Sequence, residues 1–243
     1  MGSFMDGLAN RNKGMLAEFE MLIGYRFTDL RLLQKAMVHS SYAFEQTQAG
    51  KDNQVFEFVG DAVLDLVIGH LLTRQYPDMK EGELTRFRAS LVNETHLADM
   101  ARSLEMGRFL CLGKGEDASD GRNKSSILSC AFEAVVGAIF EDSDYPTVAD
   151  LIERLFLNAI EEKKEHLLLA DAKSRLQETL QDKFNKAPTY RLDSEEGPSH
   201  RKQFNVSVVF EGSVLGTGSA GSKKEAEQRA ASAALVSAKD YVE

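Results

Sequence analysis

Three carboxylates, Glu57, Asp61 and Glu133, sit inside some of the most apolar stretches of this 243-residue chain. Between Asn53 and Leu72, Val55, Phe56, Phe58, Val59, Ala62, Val63, Leu64, Leu66, Val67 and Ile68 cover almost the whole circumference of a helix. A helix that is apolar all round is expected to be buried. Glu57 and Asp61 lie four residues apart and so share one face of it. Two like charges on one buried face repel, and the low dielectric raises the cost of each. Ile127–Phe140 repeats the pattern, with Glu133 as the only charge among Ile127, Leu128, Ala131, Phe132, Ala134, Val135, Val136, Ala138 and Ile139. Two arrangements would relieve the three acids. A Lys or Arg from elsewhere pairs with each, or the three together hold a hard cation. Mg²⁺ takes oxygen ligands and keeps several waters, which suits phosphodiester hydrolysis. Spacing alone leaves both arrangements open. Asp65 continues the Asp61 face and reads as structural, and His39, His70 and His96 carry no partner pattern.

The elements that must position these acids are helices. From about Met15 to Leu169 apolar residues recur at spacings of three and four, as in Leu30, Leu33, Ala36 and Met37. Pro77 ends the helix that begins near Asn53. Asp142–Pro146 breaks the chain before a helix expected over about Thr147–Glu162. The charged run Glu161–Glu165 then leads to Leu167-Leu168-Leu169, and a domain boundary is expected near 166–171. Beyond it the period changes. Ala172–Phe184 reads as a helix, Tyr190 and Leu192 as part of a strand, Phe204–Phe210 as an alternating strand, Glu211-Gly212 as a hairpin turn and Val214–Gly218 as a third strand. An alanine-rich helix, Lys223–Lys239, closes the chain. The fold class expected is an all-α domain over 15–166 followed by a small α+β domain, α-β-β-β-α, over 171–239.

Composition narrows the function further. The net charge of −9 argues on its own against a nucleic-acid partner, but the acidity is uneven. From Asp171 onward 11 acids balance 11 bases, so the excess lies entirely in the helical part, where acids can hold cations. The longest apolar runs, such as Ala134–Phe140, are too short to cross a bilayer. Met1–Asn10 lacks the pattern of a secretion signal. Two cysteines, Cys111 and Cys130, make no disulfide framework and fit a reducing, cytoplasmic setting.

A second constellation lies at the last helix. Ser222 and Glu225 have the spacing of a capping box. Lys223 and Lys224 then fall in the first turn, where the helix dipole disfavours cations. Two lysines there make sense with a phosphate in front of them.

With these residues in view, the segment Asn53-Gln54-Val55-Phe56-Glu57-Phe58-Val59-Gly60-Asp61-Ala62-Val63-Leu64 resembles the ribonuclease III signature, N-E-x-x-E-F-x-G-D-A-x-L. Gly24–Phe27, His39–Tyr42, Glu81–Val92 and Ser126–Ala134 resemble further blocks of that family in the same order. From Asp171 on, Asp171–Glu178, Pro188–Tyr190, Gly197–His200 and Gly221–Glu227 resemble a double-stranded-RNA-binding domain. The resemblance implies an endoribonuclease acting in RNA processing and maturation (rRNA, mRNA). It implies Mg²⁺-dependent cleavage of double-stranded RNA by an activated water, with Mn²⁺ as a substitute, leaving 5′-phosphate and 3′-hydroxyl ends. It also implies a homodimer with one site per subunit. Glu57, Asp61 and Glu133 would be catalytic metal ligands, and Glu81 would line the same cleft. In the binding domain, Gln177, Glu178, Pro198, Ser199 and His200 would face the minor grooves, and Lys223 and Lys224 the phosphates.

Two positions depart from the family pattern. Gln54 stands in the cleft where the family has a glutamate, and Cys130 stands at the metal-binding position of a family aspartate. Gln54 keeps hydrogen-bonding capacity without charge. A thiol is a soft donor and Mg²⁺ prefers oxygen, so the site is expected to be impaired, or to favour Mn²⁺. The alternative function is a dimeric double-stranded-RNA-binding protein with a weak or inactive nuclease site.

Overall fold

The computed structural model describes residues 4–48, 50–198 and 201–242. The chain divides into two compact units, Met1–Ile160 and Glu161–Glu243. In the first, helices α1 (Phe4–Arg11), α2 (Lys13–Ile23), α3 (Leu30–Ala36), α4 (Ser40–Glu45), α5 (Gln54–Gln75), α6 (Glu81–Leu91), α7 (Glu94–Ser103), α8 (Lys114–Ala118) and α9 (Ser125–Asp142) follow one another. A further helix, α10 (Tyr145–Phe184), carries the chain from the first unit into the second.

The centre of the helical unit is α9. Ile127, Leu128, Ala131, Phe132, Ala134, Val135, Val136, Ala138 and Ile139 are all buried on it, and Phe132 meets Phe156 edge-on with ring centroids 6.2 Å apart. Helix α5 packs across α9. Its start is fixed by buried Asn53, whose N–H donates to the Val38 carbonyl at 2.9 Å. It ends at Gln75, before Pro77, since the residue preceding a proline is disfavoured in helical geometry.

One expectation is corrected here. The apolar circumference of α5 is not buried all round: Val55, Phe58 and Leu66 are 60%, 78% and 59% exposed. Its buried side is carried by Phe56, Gly60, Val63, Leu64, Val67, Ile68, Leu71 and Leu72. Composition could not separate a helix enclosed by its own chain from one that presents an apolar stripe outward.

A second correction concerns the helices on either side of the expected boundary. Instead of one helix closing near Glu162 and another opening at Ala172, α10 runs unbroken from Tyr145 to Phe184. Its entry is where the sequence placed a break, with the Asp144 carboxylate accepting from the Thr147 N–H at 3.0 Å. No Pro or Gly occurs between Thr147 and Ala187, and the Glu and Lys of 161–165 are strong helix formers. A change in charge pattern marked a change of unit without breaking the backbone.

In the second unit, β1 (Thr189–Glu196), β2 (Gln203–Phe210) and β3 (Ser213–Ala220) form an antiparallel sheet in the order β1-β2-β3. Glu211 (φ 50°) and Gly212 (φ 84°) make the tight hairpin turn between β2 and β3, both at the positive φ that two-residue hairpins need. Helix α11 (Lys223–Val242) follows. Ala226, Ala230, Ala231 and Ala234 on α11 join Leu176, Leu180, Val206 and Val208 in one buried cluster. The close approach of α11 to β3 requires glycine at 216, where a Cβ would lie 2.5 Å from the Ala234 nitrogen.

Candidate metal centre and RNA-binding face

The acids of α5 and α9 meet because two glycines let the helices touch. A methyl group on Gly60 would overlap the Glu133 carbonyl, and one on Gly137 would overlap the Phe56 carbonyl. The contact brings Glu57 beside Glu133, and also beside Cys130, one turn earlier on α9. The ligand atoms of Glu57, Cys130 and Glu133 all lie within 4.8 Å of one another, each on a half-buried residue. Asp61, one turn along α5, stays outside this tight trio and is exposed.

The electrostatics show that the negative charge is not matched by protein cations. Burial pushes the Glu133 carboxyl up to about 7, and the charges of Asp61 and then Glu57 push it the same way. Burial pushes the Cys130 thiol up to about 12, with its hydrogen bond to Glu57 and the charges of Glu57 and Glu133 adding to the rise. Among the described residues no Lys or Arg forms an ion pair with Glu57, Asp61 or Glu133. Arg88 of α6 reaches Asp65 instead, one turn further along α5, at 3.5 Å. Asp65 therefore has a structural ion-pair partner, whereas Glu57 and Glu133 face each other.

The donor chemistry fits a divalent cation in part. Carboxylate oxygens converging from two helices suit a hard ion such as Mg²⁺ or Mn²⁺. The Cys130 sulfur does not suit Mg²⁺.

The other two residues of the expected cleft, Gln54 and Glu81, are exposed. Gln54 is the exposed first residue of α5, with its N–H donating to Asp52 at 3.2 Å. Glu81 is exposed at the first turn of α6 and accepts from Thr85 Oγ1 at 2.9 Å. Sequence reasoning misses the roles of Gly60 and Gly137. Their signal is two glycines inside otherwise strongly helical apolar runs, a placement that costs stability unless packing demands it.

In the second unit, Gln177 and Glu178 are exposed on α10, and Pro198 is exposed after Gly197. Ser199 and His200 lie outside the described residues. Lys223 and Lys224 are exposed in the first turn of α11. Ser222 Oγ accepts from the Glu225 N–H at 3.3 Å, while the Glu225 carboxylate pairs with Arg229 at 2.7 Å. Beside this turn runs an open groove lined by Arg201, Lys202, Gln203, Ser219, Gly221 and Arg229. Sequence reasoning misses this groove too, although the adjacent bases Arg201 and Lys202 are a signal for it.

An acid-bearing helical unit is followed by a three-stranded sheet with flanking helices, the arrangement the sequence resemblance implies for a nuclease with an attached duplex-RNA module. Comparison with known proteins gives the same class. Residues 29–160 match the Ribonuclease-III-like family, and residues 172–236 match the double-stranded RNA binding motif. The chain is 66% identical to Ribonuclease 3 of Desulfotalea psychrophila, across 97% of this chain and 98% of that one. It is 46% identical to Ribonuclease 3 of Syntrophobacter fumaroxidans, across 90% and 93%. A crystal structure of the nuclease domain of ribonuclease III from Campylobacter jejuni superposes with a TM-score of 0.54 at 37% identity, covering 60% of this chain and 94% of that domain. The chain belongs to the ribonuclease III family and is an endoribonuclease of that type.

No helix among the described residues is long and apolar enough to cross a membrane.

Proposed function

We propose that this chain cleaves double-stranded RNA in the cytoplasm, in the processing of rRNA and mRNA precursors, through a metal centre built by Glu57, Asp61 and Glu133, leaving 5′-phosphate and 3′-hydroxyl ends. The observation that carries the reading is the convergence of Glu57 and Glu133, without a protein cation, in a chain that also bears a double-stranded RNA binding motif. A Mg²⁺ or Mn²⁺ ion, when bound, supplies Lewis-acid chemistry and lowers the proton affinity of water. The residues themselves do the positioning. Glu133 and Glu57 would hold the ion from two helices, Asp61 would add a charge at the solvent side, and Glu81 and Gln54 would line the approach. In this division of labour, 15–166 is the nuclease domain and 171–239 the RNA-binding domain.

The exposed part of α5 supports a homodimer. Val55, Phe58, Ala62 and Leu66 recur at helical spacing and are all exposed in the single chain, and an exposed apolar stripe of this kind marks an interaction surface. The similar nuclease domain of C. jejuni has a structurally flexible region involved in dimer formation. Phe58→Asp is expected to shift the protein from dimer to monomer in sedimentation equilibrium. An unchanged mass would remove α5 from the interface.

RNA would be held by Gln177, Glu178 and Pro198–His200 at the minor grooves and by Lys223 and Lys224 at the phosphates. Replacing both lysines with alanine is expected to weaken duplex binding evenly across sequences. It should also reduce the slope of log affinity against log salt by about 2, measured by fluorescence anisotropy at several salt concentrations.

Cys130 within the cluster favours one second reading, a dimer that grips duplex RNA without cutting it efficiently. A gel of long duplex RNA incubated with Mg²⁺, with Mn²⁺ and with chelator separates the two. Fragments that depend on metal are the expected result, and a retarded but intact duplex in all three lanes would leave the binding protein.

A further inference from the structure

Cys130 occupies a place in the cluster where Mg²⁺ has no use for it. Its sulfur is one of three mutually close ligand atoms, so it is turned toward the carboxylates of Glu57 and Glu133. The sulfur and the Glu57 and Glu133 oxygens, within 4.8 Å of one another, are close enough for one ion to bridge. Zn²⁺ takes thiolate sulfur at about 2.3 Å and carboxylate oxygen at about 2.0–2.2 Å. In the tetrahedral arrangement Zn²⁺ favours, a sulfur and an oxygen donor therefore stand about 3.5–3.7 Å apart, a short closure for ligand atoms already within 4.8 Å of one another.

We propose that the centre is a mixed sulfur–oxygen site in which Cys130, Glu57 and Glu133 together ligate a thiophilic divalent ion, Zn²⁺ or Cd²⁺, and that Cys130 sets the preference of the site away from Mg²⁺. On binding, the Cys130 sulfur enters as thiolate and its proton passes to the buffer. Softness of the ligand, rather than charge count, then selects the ion. Zn²⁺ prefers low coordination numbers and Mg²⁺ near-ideal octahedral oxygen geometry. An ion held by sulfur and two carboxylates therefore occupies the site without reproducing the geometry a Mg²⁺ ion would give it. The inference rests on the placement of the metal centre under the proposed function.

The second thiol provides an internal control. Cys111 receives hydrogen bonds from Gln34 Nε2 at 3.6 Å and Asn12 Nδ2 at 3.9 Å, and it belongs to no carboxylate cluster among the described residues.

The test uses the full-length, metal-free, reduced protein titrated with Cd²⁺ alone. The expected result is a thiolate-to-cadmium charge-transfer band in the ultraviolet that saturates at one ion per chain. The band persists in Cys111→Ser and disappears in Cys130→Ser. In competition with a chromophoric chelator, Cys130→Asp is expected to bind Zn²⁺ at least about tenfold more weakly than the unaltered chain, since even an outer-shell partner of a metal ligand is worth about tenfold. The same variant should bind Mg²⁺ more tightly. Absence of the band, or a band unaffected by Cys130→Ser, overturns the inference. Cleavage by the same preparations keeps the two proposals distinguishable. Metal-dependent cutting without the band would discard the sulfur ligand and leave the nuclease reading intact. A normal band, with no cutting by the chain or by Cys130→Asp in Mg²⁺ or Mn²⁺, would discard the nuclease reading and leave the sulfur ligand.

Discussion

Glu133→Gln is expected to abolish metal-dependent cleavage while making the metal-free protein more stable above pH 7. The loss of cleavage follows from geometry. Glu133 is the one carboxylate that α9 contributes to the trio. Removing its charge loosens the ion and costs about 4 kcal/mol of transition-state stabilisation, about a thousandfold in rate. The gain in stability follows from linkage. Burial, with help from Asp61 and Glu57, raises the Glu133 carboxyl from 4.5 to about 7 in the folded chain. Between those values the folded state holds a proton that the unfolded state has released. Stability contributed by this group is thus complete below about pH 4.5, falls as pH rises toward 7 and stays low above it. This is the reverse of a salt-bridged carboxylate. Glutamine, neutral throughout, escapes the loss. Because the group is part-exposed, solvent screening trims the effect, and a rise of about 2–4 °C in thermal midpoint at pH 8 in chelator is expected. The rise should vanish near pH 4, where the native side chain is neutral as well. A variant that still cuts, or one that is less stable than the parent at pH 8, would contradict the assignment.

Gly60→Ala is expected to damage fold and site together. The added methyl meets the carbonyl of Glu133, a backbone atom in the most buried helix of the unit. Side chains can rotate out of such an overlap, but packed helices must separate. Overpacking of this kind costs about 1–3 kcal/mol when side chains absorb it, so a backbone clash is expected at or above that upper end. The separation also moves Glu133 away from Glu57, and the stabilisation expected of the parent protein on binding Mn²⁺ should disappear. Thermal melts with and without Mn²⁺ measure both effects. A Gly60→Ala protein that melts with its parent and gains as much from Mn²⁺ would show that the close crossing does not organise the site. Gly137→Ala, which meets the Phe56 carbonyl, provides an independent repeat.

Much of this is legible in the residues. The three acids stand out because each breaks an apolar pattern, and the hairpin at Glu211-Gly212 stands out because its turn demands positive φ. What escapes reading has physical causes. The exposed stripe Val55, Phe58 and Leu66 carries the same residue types as a core face, and only the rest of the fold decides which side of α5 is covered. The continuity of α10 is hidden because Glu161–Glu165 looks like a linker by charge while its residues favour helix. The crossing at Gly60 and Gly137 depends on two positions 77 residues apart in sequence, and no local pattern connects them. Spacing puts Asp65 and Asp61 on one helix face, and only the family pattern tells them apart in the sequence. In the structure Arg88, which comes from α6, reaches Asp65.

A divalent ion held between α5 and α9 is what the nuclease reading requires. Anomalous diffraction at the manganese absorption edge, from crystals of the full chain soaked in Mn²⁺, tests that directly. The predicted result is a peak between the two helices within about 2.0–2.6 Å of carboxylate oxygens, with Glu57 and Glu133 as ligands and Asp61 beside them. No peak at that position, with the three side chains turned apart or each drawn to a lysine or arginine, would contradict it.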